Sequence, residues 1–175
     1  INTQRQYIEL TNYGISFPYL YPAMIALVDS FCGFGIYSGE IINIGATILI
    51  LMTVLYLSKK LSGSYIPGSL AFAMLVFNSN YQRELIAARA VPMSILCVLT
   101  LICLLVDFEE VDGLRLFAVG LVAGAGAVIR FDFALITVMV CFIIFIFRKK
   151  RRFKGTVTYA GGVLIPVLPW LIYSI

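Results

Sequence analysis

Long apolar runs alternate with short polar segments along this chain. An apolar run extends from residue 41 to 57; Glu40 precedes it, and Lys59 and Lys60 close it. About 17 to 25 apolar residues are enough for a helix to cross a bilayer. Further runs predict helical spans near 65–78, 92–106, 114–129, 131–147 and 156–175. The pattern therefore predicts an all-α protein, a polytopic transmembrane helical bundle of about six spans.

The N-terminal part has a different pattern. Residues 1–16 are polar with scattered aromatic residues, which indicates the end of an outer loop. In residues 17–37, prolines bracket aromatic side chains and Asp29 interrupts the apolar run, so we expect an interfacial or re-entrant segment. Residues 38–175 form the transmembrane helical domain. The chain starts without Met and stops inside an apolar run, so we expect a fragment that is truncated at both ends.

A sharp change from small apolar residues to charge occurs in 120–133, GLVAGAGAVIRFDF. Arg130 and Asp132 follow the small residues, and apolar sequence resumes at once. Charges are costly within lipid, so this pattern predicts a helical hairpin whose turn lies at a membrane surface or in a polar cavity. Gly120 and Gly124 have the GxxxG spacing, which allows another helix to approach closely or shapes a cavity wall.

Composition strengthens the membrane interpretation. The chain is 61% hydrophobic and 13% charged, with a mean hydropathy of +0.99, whereas soluble domains have about 25% charged residues. Six of the thirteen Lys and Arg residues lie in 148–154, RKKRRFK, which between two apolar runs indicates a cytoplasmic anchor rather than a nucleic-acid patch. There is no His, and the four Cys lack CxxC spacing, so we predict neither a metal site nor a disulfide framework.

Loop charges also predict which ends face outward. With 148–154 in the cytoplasm, Lys59 and Lys60 are inside, and nine Lys and Arg residues lie inside against four outside. The outer surface then gathers five charged residues, Arg83, Glu84, Arg89, Arg130 and Asp132. Arginines suit phosphate or pyrophosphate through bidentate hydrogen bonds, and Asp132 could orient Arg130 or accept from a sugar hydroxyl. The alternatives are a plain Arg130–Asp132 pair, or arginines that reach lipid phosphates.

The order of these motifs resembles a known family. A Pro-x-x-Tyr-Pro segment at 18–22 precedes the basic pair, and a Gly-led helix at 68–77 follows it. A Pro-started helix at 89–92, the Gly-rich hairpin and a final Pro169-Trp170 complete the series. This order is similar to the N-terminal membrane half of GT-C fold glycosyltransferases, in the group of protein mannosyltransferases and aminoarabinose transferases. The resemblance covers nearly the whole chain.

The resemblance implies a multi-pass enzyme of the cell membrane. It would be an inverting transferase that moves a hexosyl or pentosyl group from a polyprenyl-phosphate-linked donor to a protein, lipid or glycan acceptor on the extracytoplasmic side. Its partners are then the bilayer, the donor and the acceptor, and not nucleic acid. Arg130, and next Arg89, would contact the donor phosphate, within a substrate site that includes Arg83, Glu84 and Asp132.

The resemblance leaves the catalytic acid unassigned. In the family it lies in the first outer loop, after the first spanning helix, and that part is missing here. Glu9, in the remaining loop, lies in no recognisable Asp-Glu motif. No cofactor is predicted, and the question of a divalent metal stays open because we expect the loop that would bind it to lie upstream of this chain.

Two other functions fit parts of the pattern. A transporter or flippase half without catalysis would explain helices interrupted by Pro and Gly, such as 65–77. Against it, the predicted spans contain almost no ionisable residues, so no ion path crosses the membrane. The third hypothesis is a non-catalytic membrane anchor. It predicts that alanine substitutions of Arg83, Arg89 and Arg130 leave the phenotype intact.

Overall fold

The computed structural model describes residues 19–106, 112–147 and 152–174. Over these residues the chain forms helices, turns and bends with no strand, which confirms the all-α prediction. The N-terminal loop with Glu9, residues 107–111 of the acidic loop and residues 148–151 of the basic loop lie outside the described residues.

The helices follow the hydrophobic runs, and some extend several residues beyond the predicted spans. The α-helices of the described residues are α1 Leu20–Cys32, α2 Ser38–Ser62, α3 Ile66–Val76, α4 Ser79–Ile86, α5 Val91–Leu105, α6 Gly113–Ile129, α7 Phe133–Phe147 and α8 Arg152–Ser174, with a 3₁₀ turn at Gly35–Tyr37. Helix α1 occupies the segment expected to be interfacial or re-entrant. Helix α4 lies in the polar stretch 78–91, where the hydrophobic pattern predicted no helix. Asn78 caps α4 by accepting from the backbone N–H groups of Asn80 and Tyr81.

Length and composition single out one helix of the described residues as able to cross a membrane. It extends over Gly35–Ser62, 28 residues that include the 3₁₀ turn. Helices α4 and α5 make a second candidate if they count as one span, although they meet at an angle of 113°. The apolar helices α1, α3, α6 and α7 are shorter than 18 residues.

The long helices lie side by side, and their termini group at two ends of the bundle. At the first, which we call the Arg130 end, the start of α2 meets the α4–α5 connection: the Asn43 amide donates to the carbonyl of Arg89 at 3.0 Å. At the opposite Lys60 end, the Arg115 guanidinium of α6 donates to the Cys103 carbonyl of α5 at 3.3 Å, and Lys60 lies near enough to Cys103 to interact with it electrostatically. The Asn43–Arg89 contact thus lies at one end of the bundle, and Arg115 and Lys60 lie at the other.

Glycines bring α6 and α8 into backbone contact. A Cβ atom on Gly120 would overlap the Tyr159 carbonyl oxygen, and one on Gly124 would lie 2.5 Å from the Val163 carbonyl oxygen. From the α8 side, a Cβ atom on Gly162 would overlap the Phe117 carbonyl oxygen. Contacts advance in the same direction along both helices, so α6 and α8 run parallel. The GxxxG spacing therefore serves helix packing.

Helix α7 packs antiparallel against this pair. The Thr137 hydroxyl donates to the Ala123 carbonyl of α6 at 3.0 Å, and the Tyr159 hydroxyl of α8 donates to the Thr137 carbonyl at 2.8 Å. Tyr159 is 2% exposed, and Leu116 and Ile144 are fully buried beside it. Buried polar groups are tolerated when they are hydrogen-bonded. Helices α6, α7 and α8 therefore hold the α6–α7 turn on a packed base.

Asp29 shapes the connection between α1 and α2. Its carboxylate accepts from the backbone N–H of Gly35 at 2.6 Å and from the buried Ser38 hydroxyl at 3.2 Å. Helix α1 ends in Gly33 at φ 65°, a left-handed conformation that glycine adopts without steric cost. The charge that interrupts the apolar run therefore lies where the chain turns into α2.

Candidate anion-binding site at the Arg130 end

The α6–α7 turn consists of Arg130, Phe131 and Asp132. Arg130 leaves the helix in an extended conformation, with φ −150° and ψ 132°, while its N–H still donates to the Gly126 carbonyl at 2.9 Å. The N–H of Phe133 then donates to the Arg130 carbonyl at 3.1 Å, and α7 begins. Because the turn is so short, both charged side chains stay at its tip.

Arg130 and Asp132 form a bidentate ion pair. Arg130 Nε donates to Asp132 Oδ1 and Oδ2 at 3.0 and 3.2 Å, and Nη2 donates to Oδ2 at 2.8 Å. The hydrogen bond to Asp132 raises the pKa of the Arg130 guanidinium, and the hydrogen bond from Arg130 lowers the pKa of the Asp132 carboxyl, so both stay charged at neutral pH. None of these bonds uses Nη1, which leaves the Nη1–Nη2 edge to face another acceptor.

The ion pair lines a cavity of about 390 Å³ between α5 and α7. The α5 wall is a single helix face, because its members follow the i, i+3, i+4, i+7 spacing. It extends over about 10 Å at 1.5 Å per residue. The lining residues are Val91, Ser94, Ile95 and Val98 of α5, and Arg130, Asp132, Phe133 and Ile136 of the α6–α7 hairpin. The cavity thus combines one charged pair with a largely apolar lining.

A second ion pair lies at the same end. Arg89 Nη1 and Glu84 Oε1 are 2.8 Å apart, with side chains 67% and 24% exposed. The Glu84 carboxylate also raises the pKa of Arg130, after the larger effects of Asp132. The structure therefore brings together four of the five residues that the sequence grouped. The fifth, Arg83, is exposed on α4, and no ion pair joins it to another residue that the structure describes.

Sequence reasoning missed Asn43, which connects α2 to this site. Residues 41–57 were read as a purely apolar run, yet they include this amide, whose side chain is fully buried. Its Nδ2 donates to the carbonyls of Arg89 at 3.0 Å and Leu85 at 3.4 Å, and its Oδ1 accepts from the Tyr21 hydroxyl at 3.0 Å. A lone amide in a long apolar helix is costly unless it is bonded, and that was the available signal.

A separate cavity of about 330 Å³ lies between α6, α7 and α8. Its lining is apolar apart from Thr137, and Phe131 of the α6–α7 turn forms part of it. The two neighbours of Phe131 line the charged cavity instead, so the turn separates the two spaces. Among the described residues, no group of three or more His, Cys, Asp and Glu side chains is arranged to hold a metal ion.

The Arg130 end thus combines two ion pairs, one amphipathic cavity and a buried amide that contacts the α4–α5 connection. Such an arrangement can hold an anion that has an apolar body, with the guanidinium edge at its charged group. Comparison with known proteins adds nothing to this description: no protein-family model, no curated protein and no solved structure matches the chain.

Proposed function

We propose that this chain is the membrane region of a GT-C-like glycosyltransferase. It takes a sugar from a polyprenyl-phosphate-linked donor and transfers it to a protein, lipid or glycan acceptor on the extracytoplasmic side of the cell membrane. The observation that carries the proposal is the cavity between α5 and α7, which is lined by Arg130 and Asp132 and by mostly apolar side chains. A lipid phosphate has this combination of an anionic head and an apolar chain.

Exposed apolar side chains support a multi-pass membrane arrangement. Leu135, Met139 and Phe142 of α7 are 56% to 69% exposed, and Met74 of α3 is 77% exposed. Contiguous surfaces of this kind are rare on soluble monomers, whereas lipid tails cover them in a bilayer. On this proposal α2, α3, α5, α6, α7 and α8 cross the membrane, and the shorter ones do so by local thinning or by burial against neighbours.

The basic residues at the Lys60 end support the proposed orientation. Lys59, Lys60 and Arg115 lie at the Lys60 end, which the positive-inside rule places in the cytoplasm. The Arg130 end then faces outward. Donor and acceptor would meet there, with the donor phosphate at the headgroup level and its chain along the wall formed by α5.

The proposed chemistry assigns distinct tasks to the charged residues. The bond between the sugar C1 and the phosphate oxygen breaks while the acceptor oxygen bonds to C1 from the opposite face, and the acceptor proton passes to a carboxylate base. Arg130, with Arg89 as a second cation, neutralises the charge that develops on the leaving phosphate. Glu84 and Asp132 are both ion-paired, so we assign Asp132 to orienting Arg130 and assign neither of them as the base.

Arg130 provides the direct test. In membranes that contain the full-length protein, Arg130→Ala should lower sugar transfer from a polyprenyl-phosphate-linked donor by about 10²-fold or more, the effect of losing one electrostatic donor. Arg130→Lys should lower it less, because it keeps the charge but loses the bidentate edge. Lys59→Ala, which removes an exposed cation at the opposite Lys60 end, is the matched control. Unchanged transfer by Arg130→Ala would rule out the phosphate role.

The proposed topology has its own measurement. A cysteine introduced at the exposed position Asn80 of α4 should react with an impermeant maleimide added outside intact cells. Reaction from the cytoplasmic side alone would invert the orientation.

A transporter or flippase without catalysis is the second candidate. The bend of 113° between α4 and α5 favours it, because transporters bind substrate at discontinuous helices of this kind. Reconstituted vesicles distinguish the two functions. A transporter would move a polyprenyl phosphate between leaflets without any transfer of sugar, and Arg130→Ala would slow that movement.

A further inference from the structure

Asn43 is a fully buried amide whose polar atoms are all engaged. Its Nδ2 faces two carbonyl oxygens, those of Leu85 and Arg89, and its Oδ1 faces the Tyr21 hydroxyl. Carbonyl oxygens can only accept, so the amide must present its nitrogen to them, and the network fixes its orientation. Both N–H bonds of the amide are therefore directed at backbone outside its own helix.

The two carbonyls mark the two sides of the α4–α5 connection. Leu85 lies in the last turn of α4, and Arg89 lies just before α5. Between them Ala88 has φ 50°, a left-handed conformation that is unfavourable for a residue with a Cβ atom. Gly39 lies one turn before Asn43, and a Cβ atom on it would be 2.6 Å from the Cβ atom of Ala88. On helix α2, Gly39 thus leaves room for the Ala88 side chain, and Asn43 bonds to the backbone on both sides of it.

The same connection carries the second ion pair of the site. Glu84 and Arg89 lie on its two sides and bond to each other, and Glu84 acts electrostatically on Arg130. Arg130 and Asp132 belong to a different part of the bundle, the α6–α7 hairpin. The relative placement of the two ion pairs therefore depends on how the connection is attached to α2.

We propose that Asn43 is a positioning residue for the anion site. It attaches the α4–α5 connection to α2, so that the Glu84–Arg89 pair stays next to Val91, which lines the cavity together with Arg130. The identity of the ligand as a lipid phosphate rests on the proposed function. The attachment of the α4–α5 connection to α2 does not depend on that function.

Hydrogen exchange tests the attachment without any ligand. In the full-length protein in detergent, Asn43→Ala should speed exchange of the backbone amides at 87–89 by about tenfold or more. The Thr47 hydroxyl, 2.7 Å from the Tyr81 hydroxyl, still ties α2 to α4, so the change should be local. Ile50→Ala, which creates a cavity at another fully buried position of α2, is the control for lost stability. Equal exchange at 87–89 in the Asn43 and Ile50 variants would overturn the proposal.

Binding of farnesyl phosphate tests the consequence for the site. Asn43→Ala should weaken this binding by about tenfold, the scale of coupling between neighbouring residues. In a Glu84→Ala/Arg89→Ala background, the same change should cost less than about twofold, because the groups it positions are gone. An equal loss in both backgrounds would overturn the positioning role. If the unaltered protein does not bind farnesyl phosphate, the proposed function fails, and the exchange experiment still decides the role of Asn43.

Discussion

The contact between Gly39 and Ala88 gives a stability prediction that can be worked from the structure. A methyl group on Gly39 would lie 2.6 Å from the Cβ atom of Ala88 and 3.4 Å from Cδ1 of Ile25. Non-bonded carbons normally lie about 3.5 to 4.0 Å apart, so the connection must move by about 1 Å. Overpacking of this kind costs about 1–3 kcal/mol. We therefore expect Gly39→Ala to destabilise the protein by about 2 kcal/mol.

A second change should reverse much of this loss. In Gly39→Ala/Ala88→Gly the clashing Cβ atom of residue 88 is gone. The atoms then nearest to the new methyl group at position 39 are Ile25 Cδ1, at 3.4 Å, and the Cα atom of residue 88, at 3.7 Å. Ala88→Gly alone should stabilise the protein slightly, because relief of the left-handed conformation, about 1–2 kcal/mol, exceeds the backbone entropy cost of about 0.5–1 kcal/mol. The two substitutions should therefore couple favourably by about 1–2 kcal/mol.

The assay is reversible unfolding of the four proteins in mixed micelles, with helicity as the signal. Gly45→Ala is the matched control on the same helix, because a Cβ atom there meets nothing within 4 Å. It should stabilise α2 slightly, since alanine has the higher helix propensity. The reasoning is refuted if Gly39→Ala is as stable as Gly45→Ala, or if the separate effects of Gly39→Ala and Ala88→Gly simply add in the double variant.

Three further predictions concern other parts of the bundle. Gly120→Val should destabilise by about 3 kcal/mol because it overlaps the α8 backbone, whereas Gly161→Ala, in open space, should not; unfolding in micelles compares them. Asn78→Ala should cost about 1 kcal/mol by removing the α4 cap, seen as faster amide exchange in α4. Arg130 lowers the pKa of Asp132, so the ion pair stabilises the fold at pH values above the ordinary carboxyl pKa of 3.8. This stabilisation is lost as the pH falls below that value and Asp132 is protonated. Asp132→Asn should therefore make the free energy of unfolding depend less on pH in this acid range.

Helix positions were largely predictable because the hydrophobic runs are long and their ends are marked by charge. The run near 92–106 is offset from α5 by one residue at each end, and the run near 114–129 begins one residue after the start of α6. The Gly120 and Gly124 spacing also predicted a close helix contact. In each of these cases the signal is local: residues that lie near one another in the chain determine the outcome.

The details of the site were not predictable in the same way. The Arg130–Asp132 pair follows from adjacency, but the Glu84–Arg89 pair depends on a helix end that the hydrophobic pattern does not show. The α4 helix has little apolar character, and only its Asn78 cap signals it. The lone amide of Asn43 signals a hydrogen-bonded position, but the sequence does not identify its partners, which are backbone carbonyls far along the chain whose approach depends on the folded bundle.

The parallel contact between α6 and α8 has a consequence for biosynthesis. Parallel neighbours need an intervening helix, so α7 must be synthesised and must turn back before α8 can reach the glycine surface of α6. Until then the nascent chain presents an α6–α7 hairpin whose glycine groove is uncovered, with its charged turn already formed. Arrival of Tyr159, Gly162 and Val163 closes the groove. Helix α8 therefore completes the support for the α6–α7 turn, and chains that stop before α8 should be the ones that quality-control proteases remove.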